Sequence, residues 1–399
     1  MPILVGIGIS TQKNALVAAE EAATQAKANS ASGKYDLAFI FATSGMLHPH
    51  VLEALSESLK GVTLLGSSSL AILSPQGIIP HGIGILLLRL PKGIYFNASA
   101  IEEITSKGAN GAGKALGEKL TYGFRDLQRV VGILFSDGLI ANTSDFIEGI
   151  QGKTGKSFPL VGASSSDKFL FKNTAIFFEE RLIPDAACGI IFGGHCCFGL
   201  GIHHGWKPLG KSHQVTKSSG DRVYTIDERP AADIYTQYLD CNQETLLRDR
   251  TLISICYPLG VYLEEEKEYL LRNILAIEKD GSLHMQGNLP EKSTIRLMIG
   301  TKDSCLDATR AAVAEAQQGL MRQKTKFALV FNSTSRYMLL RNRIDEEITL
   351  IKEGLGKNTP FLGIYTYGEQ APLKALSYQG RTHVHNQSIA VLAIGEGAR

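Results

Sequence analysis

The sequence predicts an α/β fold. Short apolar runs rich in Val, Ile and Leu alternate along the chain with segments in which apolar residues recur every three or four positions. Because strand-like and helix-like segments alternate rather than segregate, we expect sheets that are covered by helices. The same order of elements occurs three times, and this predicts repeated strand-helix-strand units.

Each predicted unit begins with a strand and an Ala-rich helix. In the first unit Ala15, Ala18 and Ala22 fall on one helical face, and this stripe of small side chains suits close packing on a sheet. A second strand, a second helix, a short strand that contains Gly and a final apolar strand follow. The predicted elements are 4–10, 15–28, 36–42, 50–59, 64–68 and 82–89 in the first unit, 95–101, 113–120, 130–136, 144–151, 159–163 and 188–193 in the second, and 295–300, 306–323, 327–333, 344–355, 360–365 and 388–394 in the third.

The segment 198–293 departs from this pattern and is rich in strand signals. Pro230 predicts the first turn of a helix, where a missing N–H loses no hydrogen bond. The dipeptide Asp280-Gly281 between two apolar runs predicts a β-hairpin. We therefore expect a β-rich insertion between the second and third units, and two domains that cover 1–220 and 221–399.

The composition argues against several classes of partner. The chain has 399 residues, with 41 Lys and Arg against 39 Asp and Glu, so its formal net charge is +2. This balance provides no overall field for nucleic acid or an anionic membrane. The longest apolar run, 82–88, is much shorter than the roughly 20 residues that a membrane-spanning helix needs. Because the first residues also lack a basic leader, we expect a cytoplasmic protein with no nucleic-acid or membrane partner.

Several short segments, in this order and spacing, resemble the FIST family. They include His-Gly-Trp-Lys-Pro-Leu-Gly at 204–210 and Arg-Pro-Ala-Ala-Asp-Ile-Tyr at 229–235. The other segments that carry the resemblance are 6–11, 36–41, 65–69, 257–260, 289–291, 331–336, 363–369 and 385–388. The resemblance covers nearly the whole chain and implies an N-terminal and a C-terminal FIST sensory domain.

The resemblance implies ligand sensing in signal transduction rather than catalysis, with small molecules such as amino acids as ligands. Some relatives resemble haem-based nitric oxide sensors. Many relatives carry Cys in a Phe-Ser-Cys-x-x-Arg segment where this chain has Ser333, so a thiol-based role is in doubt here. No kinase, methyl-acceptor, cyclase or F-box segment is present, so we expect a stand-alone bacterial-type member whose output passes through a separate signalling protein or a homo-oligomer.

Polar side chains cluster at or near the ends of predicted strands in the third unit. In open α/β sheets ligands bind at the carboxyl ends of strands. A guanidinium there can bind a carboxylate in a bidentate manner, a carboxylate can bind an ammonium group, and tyrosine rings can form an apolar wall. We therefore predict an amino-acid-like ligand in a C-terminal-domain cleft, although an internal network in which Arg336 pairs with Glu369 and Asn386 caps a loop is equally open. The predicted ligand-binding residues are Arg336, Tyr365, Tyr367, Glu369, His385 and Asn386.

Two other functions stay open. A haem-binding nitric oxide sensor would need an axial histidine in an apolar slot, and His204 is the candidate because it lies beside the Trp206 turn. A protein-docking adaptor would need no ligand and hence no cavity. Apart from the haem alternative, we expect no cofactor.

The sequence contains no recognisable catalytic or metal-binding motif. The segment 107–115 resembles a phosphate-binding loop, but Ala115 replaces the Ser or Thr that would bind Mg²⁺. The helix N-terminus at that segment could still bind an anion. Neither an H-E-x-x-H segment nor a nucleophile elbow occurs. We therefore predict a small-ligand-binding sensory protein that is not an enzyme and holds no metal.

Overall fold

The computed structural model describes residues 2–30, 33–46, 48–124, 127–265, 267–373 and 381–397. Helices and strands alternate along most of these segments, and the strands form mixed sheets. The predicted α/β class is therefore confirmed.

The first half of the chain forms two successive groups of strands and helices. The first group consists of β1 (Leu4–Ser10), α1 (Ala15–Ala28), β2 (Leu37–Thr43), α2 (Pro49–Ser58), β3 (Thr63–Ser69), β4 (Ile72–Ser74), β5 (Gly77–Ile79) and β6 (Ile83–Arg89). The second consists of β7 (Ile94–Ile101), α3 (Ile104–Lys107), α4 (Ala109–Thr121), β8 (Arg129–Ser136), α5 (Thr143–Thr154), β9 (Leu160–Ser164), β10 (Ile176–Phe178), β11 (Arg181–Ile183) and β12 (Ala187–Gly194).

The second half contains a long insertion followed by a third α/β group. After β13 (Cys196–His203) the insertion comprises β14 (Lys207–Ser219), β15 (Arg222–Ile226), β16 (Arg229–Pro230), α6 (Asp233–Leu239), α7 (Gln243–Arg248), α8 (Arg250–Cys256), β17 (Leu259–Leu263), β18 (Glu268–Arg272), β19 (Ile274–Ile277), β20 (Leu283–Met285) and β21 (Thr294–Ile299). The chain continues with α9 (Lys302–Gly319), β22 (Thr325–Ser333), α10 (Thr334–Leu340), α11 (Ile344–Leu355), β23 (Phe361–Thr366), β24 (Gly368–Pro372), β25 (Thr382–His385) and β26 (Ile389–Glu396).

Three six-stranded sheets in the described part of the chain share one strand order. The first sheet is β1-β6-β2-β3-β10-β11, the second β7-β12-β8-β9-β24-β25 and the third β13-β26-β22-β23-β4-β5. Each sheet has one parallel pair at its centre: β2 and β3, β8 and β9, or β22 and β23. The strand before each pair in the sheet order, β6, β12 or β26, runs antiparallel to it. The hairpin at the end of each sheet comes from a different group, so the three sheets are interlocked.

The insertion lies inside the third α/β group, and not between the second and third groups as predicted. The segment 295–300, which we expected to begin the third unit, forms β21 and pairs with β14 and β17 in a separate eight-stranded sheet. The strand that pairs with β26 at the edge of the third sheet is instead β13. Both segments are apolar, and hydrophobicity alone does not distinguish them.

Glycines explain why β13 belongs to the third sheet. A Cβ on Gly199 or Gly201 of β13 would come within 2 Å of a backbone oxygen of α9. Gly6 and Gly8 of β1 face α1 in the same way, at 2.0 Å and 1.8 Å. The Gly-x-Gly pattern of these two strands therefore allows an Ala-rich helix to pack directly on the sheet.

Within the insertion one prediction holds and another does not. Strands β19 and β20 pair antiparallel around Asp280-Gly281, as predicted, with Gly281 at a φ of +79°. Pro230 does not open a helix, because it pairs with Thr225 in β16 and α6 begins only at Asp233.

The inner faces of the three sheets pack on one another in a common hydrophobic core. Phe135 lies at its centre, with ring centroids 6.2 Å from Phe39, 5.6 Å from Phe41 and 5.9 Å from Phe331, all in edge-to-face geometry. The outer faces are covered by helices: α1 and α2 on the first sheet, α4 and α5 on the second, and α9 and α11 on the third. Burial of both faces explains why most strands are continuously apolar.

Candidate functional site

Arg336 and Tyr365, two of the predicted ligand-binding residues, lie inside the protein and contact Glu347. Neither the Arg336 nor the Glu347 side chain is exposed, and Nη2 of Arg336 donates to Oε1 of Glu347 over 2.6 Å. The Tyr365 hydroxyl donates to Oε2 of the same carboxylate at 3.3 Å. Other Arg336 N–H groups bond to Asn332, Thr309 and two backbone carbonyls. The guanidinium is therefore fully buried in an internal network, and its carboxylate partner is Glu347 rather than Glu369.

Glu369 is also fully buried. Its carboxyl group accepts hydrogen bonds from the Thr366 hydroxyl at 2.9 Å and from the backbone N–H of Ser388 at 3.0 Å. Burial raises the pKa of Glu369 to about 8. This carboxyl group bonds the β23–β24 connection to the β25–β26 connection.

Tyr367 contacts a different part of the molecule from Tyr365. Its hydroxyl donates to the Asp167 carboxylate, and its ring stacks on Phe171 with centroids 4.2 Å apart. It lines a cavity of about 410 Å³ together with Ser164 and Gln286. Tyr367 is thus separated from the buried network of Arg336.

His385 and Asn386 lie in the connection between β25 and β26. Asn386 is buried, and its side chain bonds to the backbone of His385 and of Asn273. His385 donates from Nε2 to the carbonyl oxygen of Ala371 at 3.0 Å. Burial lowers the pKa of His385 to about 3. The imidazole is therefore neutral at physiological pH, and its Nδ1 is an acceptor without a partner in the described residues.

His385 lines a cavity of about 690 Å³ between α9 and the inserted sheet, which we call the α9 cavity. This volume lies within the range of small-molecule sites. Among the residues that line it are Ile202, His203, His204, Gly205, Trp206, Lys207, Glu268, Ser304, Asp307, Ala308, Ala311, Glu315, Leu373, His385 and Ser388.

One wall of the α9 cavity is the helix α9 itself. Asp307, Ala311 and Glu315 are spaced four residues apart and therefore share one helical face. Small side chains on this face leave the space that forms the cavity. Thr301 and Ser304 cap the N-terminus of α9 by bonding each other's backbone N–H groups at 3.1 Å.

The opposite wall is the turn between β13 and β14. Gly205 has a φ of +89°, and a Cβ there would lie 2.4 Å from the Ser304 carbonyl oxygen, so the turn requires glycine. Trp206 is only 3% exposed, and its indole N–H donates to the carbonyl oxygen of Ile255 at 3.0 Å. This bond fixes the ring at the cavity wall between the third sheet and the insertion.

The cavity carries more negative than positive charge. Glu268, Asp307 and Glu315 line it, against the single lysine Lys207. His204 lies 3.8 Å from Glu268 and lowers the pKa of that carboxyl group. The electrostatics of the α9 cavity therefore favour a cationic group.

Two domain models cover most of the chain. Residues 36–229 match the FIST N domain, and residues 231–372 match the FIST C domain. The chain belongs to the FIST family. FIST domains are associated with sensing in signal transduction.

Individual relatives of this FIST protein add little detail. The uncharacterized protein MJ1623 of Methanocaldococcus jannaschii is 22% identical over 265 residues, which are 62% of this chain and 50% of that protein. The chain thus spans about half the length of this relative. A cyanuric acid hydrolase structure from A. caulinodans aligns with 99% of this chain and 100% of its own at 8% identity and a TM-score of 0.35. The ATP complex of PurL from T. maritima aligns with 99% of this chain and 72% of its own at 11% identity and a TM-score of 0.23, and neither score supports an argument about function.

His204, the predicted haem ligand, lines the α9 cavity but is poorly oriented for that role. Its Nδ1 accepts the backbone N–H of Trp206 at 2.9 Å, so the neutral ring carries its hydrogen on Nε2. Iron would need a ring nitrogen without a hydrogen, whereas Nε2 faces Glu268. The nearby carboxylates would also repel haem propionates. The residues around His204 therefore do not fit haem.

Sequence reasoning missed the acidic residues of the α9 cavity. Asp307 and Glu315 recur at the helical spacing within the predicted helix 306–323, and this pattern was available as a signal. Glu268 was not recognisable, because only the pairing of β17, β18 and β21 brings it opposite α9. Of the predicted ligand-binding residues, the structure places only His385 at this cavity.

Neither a metal site nor a membrane helix is found in the described residues. No group of three or more His, Cys, Asp and Glu side chains there is arranged to hold a metal ion. Within the same part of the chain, every helix is too short or too polar to cross a membrane.

Proposed function

We propose that this FIST protein is a sensor that binds an amino-acid-like metabolite in the α9 cavity through the ligand's ammonium group. The observation that carries the proposal is a cavity of small-molecule size in which acidic side chains surround a fixed tryptophan. The family's association with signal-transduction sensing supports a ligand rather than a reaction. The proposal includes no catalytic step.

The side chains of the cavity supply complementary contacts for such a ligand. Glu268 and Glu315 offer carboxylates to the ammonium group, and the neutral His385 offers Nδ1 as a further acceptor. Trp206 provides an apolar surface for the ligand side chain. The ligand carboxylate would face Lys207.

The position of the cavity suggests how binding is transmitted. Glu315 belongs to α9 on the third sheet, whereas Glu268 belongs to the inserted sheet. A ligand that contacts both would stabilise one arrangement of these two parts over others. A separate signalling protein would then recognise the stabilised arrangement.

Thermal stability titrations with free amino acids and their N-acetyl derivatives test the proposal. A ligand at 100 times its Kd should stabilise the folded state by about 2.7 kcal/mol. Since acetylation removes the ammonium charge, the N-acetyl form of the same amino acid should give no saturable shift.

Charge-neutral variants locate the site. Glu268→Gln and Glu315→Gln should each weaken binding about tenfold, because each removes a charged partner of the ammonium group. Glu57→Gln, which alters an exposed carboxylate on α2, should bind as the wild type does. Equal binding of free and N-acetyl ligands would contradict the proposal. Failure of every amino acid to stabilise the protein would instead favour the adaptor alternative.

A further inference from the structure

A second cavity, of about 340 Å³, lies on the other side of β25 between the paired helices α4 and α5 and the inserted sheet. Its lining includes Asn110, Lys114, Ser144, Lys156, Arg272 and His383. We call it the α5 cavity. It is separate from the α9 cavity, and the proposed function does not use it.

Arg272 is the most deeply buried charge of the α5 cavity, with only 5% of the residue exposed. Its Nε and Nη1 donate to the backbone carbonyls of Asn288, Leu271 and Val384 at 3.4, 2.9 and 3.1 Å. In the described residues no carboxylate lies within 4.0 Å of the guanidinium, and Nη2 has no hydrogen-bond partner.

A buried cation without a counter-ion is energetically costly. Burial lowers the pKa of Arg272 to about 10, and the guanidinium is therefore still charged at neutral pH. Arg336, which is also deeply buried, has Glu347 as its partner. Within the described residues Arg272 thus has no counter-ion, and an anion bound in the α5 cavity would supply one.

Two lysines add positive charge to the same cavity. Lys114 and Lys156 are both exposed, and neither forms an ion pair with a described residue. Two acidic residues, Asp145 and Glu148, also line the cavity, but both are exposed at its rim, and Glu148 lies 3.7 Å from Arg381. The lining thus carries more cationic than anionic side chains, and its most buried charge is that of Arg272.

The helices α4 and α5 direct their positive ends to this region. Gly113 of α4 contacts Phe146 of α5, and Gly117 contacts Ile150, so the helices run parallel and their N-termini lie at the same end. No side chain caps either N-terminus. The first turns contribute Asn110 and Ser144 to the cavity lining. Parallel helix dipoles and uncapped N–H groups both favour an anion.

We propose that the α5 cavity binds the phosphate group of a small metabolite. The free Nη2 edge of Arg272 would contact the phosphate oxygens at the floor of the cavity, and Lys114 and Lys156 would contact them from the rim. Because Arg272 belongs to the FIST C domain and Lys114 and Lys156 to the FIST N domain, the phosphate would join the two domains. The segment 107–115 would thus bind phosphate without the Mg²⁺ site that Ala115 removes.

Calorimetric titration of the full chain with inorganic phosphate tests this proposal. Ionic strength is held constant with chloride, and succinate serves as a dicarboxylate of comparable charge. Phosphate should bind saturably with a stoichiometry near one, and succinate should bind at least tenfold more weakly.

Variants at the rim should fold, because their lysines are exposed. Lys114→Gln combined with Lys156→Gln should weaken phosphate binding tenfold or more, and Arg272→Met should abolish it. Lys60→Gln, which removes an exposed charge on another face, should leave binding unchanged. The proposal is overturned if the double lysine variant binds phosphate as the wild type does, or if chloride or succinate competes equally with phosphate. Amino-acid binding at the α9 cavity should persist in every one of these variants, so the two proposals fail independently.

Discussion

The substitution Glu347→Gln tests whether Arg336 is a structural residue rather than a ligand contact. The Glu347 carboxylate accepts four hydrogen bonds, from Arg336 at 2.6 Å, Thr309 at 2.9 Å, Asn332 at 2.7 Å and Tyr365 at 3.3 Å. A glutamine side chain has the same shape, but whichever way its amide is turned, its NH₂ group faces hydrogen-bond donors that the carboxylate accepted. The charge of the Arg336 guanidinium also loses its partner. Breaking a buried ion pair from one side costs about 3–5 kcal/mol. We expect a loss of that size in the free energy of unfolding.

Urea unfolding followed by circular dichroism measures this loss. The matched control is Glu346→Gln, the same change one residue earlier on α11, where the exposed carboxylate pairs with Arg343 at 2.8 Å. Surface pairs contribute about 0–1 kcal/mol, so the control should lose no more than that. If Glu347→Gln is no less stable than the control, and instead weakens ligand binding, our description of Arg336 is incorrect.

Two further predictions concern the protonation of His385 and the packing of α9. Burial lowers the pKa of His385 in the folded protein to about 3, whereas an exposed histidine has a pKa of about 6.5. The unfolded chain therefore binds the proton first, and stability falls as the pH drops below about 6.5. In the wild type, this proton uptake lowers the free energy of unfolding by about 2 kcal/mol between pH 7 and pH 5. That part of the pH dependence should be absent in His385→Gln. A variant with the pH profile of the wild type would contradict the prediction. Gly201→Ala should destabilise the protein by about 1–3 kcal/mol or more, because its Cβ would lie 1.9 Å from the Ala312 carbonyl oxygen. Gly111→Ala, on an open face of α4, should instead stabilise the protein by about 0.5–1 kcal/mol. Thermal unfolding measures both variants, and a change of the same sign in the two would refute the packing argument.

The sequence predicted the fold well where local pattern and tertiary packing agree. The α/β alternation, the longer strands and helices of the first two groups and the Asp280-Gly281 hairpin follow from hydrophobic periodicity and turn chemistry. The hairpins β4–β5 and β10–β11 were not predicted. The segment 295–300 forms a strand as predicted, but its assignment to the third unit was wrong. Two apolar segments were compatible with the same edge of the third sheet. The Gly-x-Gly pattern shared by β1 and β13 decides between them, since both strands need room for a closely packed helix.

The candidate site was less predictable because it depends on long-range pairing. Arg336, Tyr365 and Glu369 follow or end strands as predicted, but side chains at such positions can face inward as well as outward. The sequence alone does not show which carboxylate pairs with the Arg336 guanidinium. The partner is Glu347 on α11, eleven residues further along the chain. The insertion brings Glu268 to α9 from a different sheet, and no local pattern encodes that approach.

The fluorescence of Trp206 tests the ligand-binding proposal most directly. It is the single tryptophan of the chain and forms part of the wall of the α9 cavity, so a ligand bound there changes the surroundings of the only indole. Titration with free amino acids should change the emission saturably for at least one of them, with a Kd that rises about tenfold in Glu268→Gln. An emission that no amino acid changes, or a Kd that is the same in the wild type and in Glu268→Gln, would contradict the proposal.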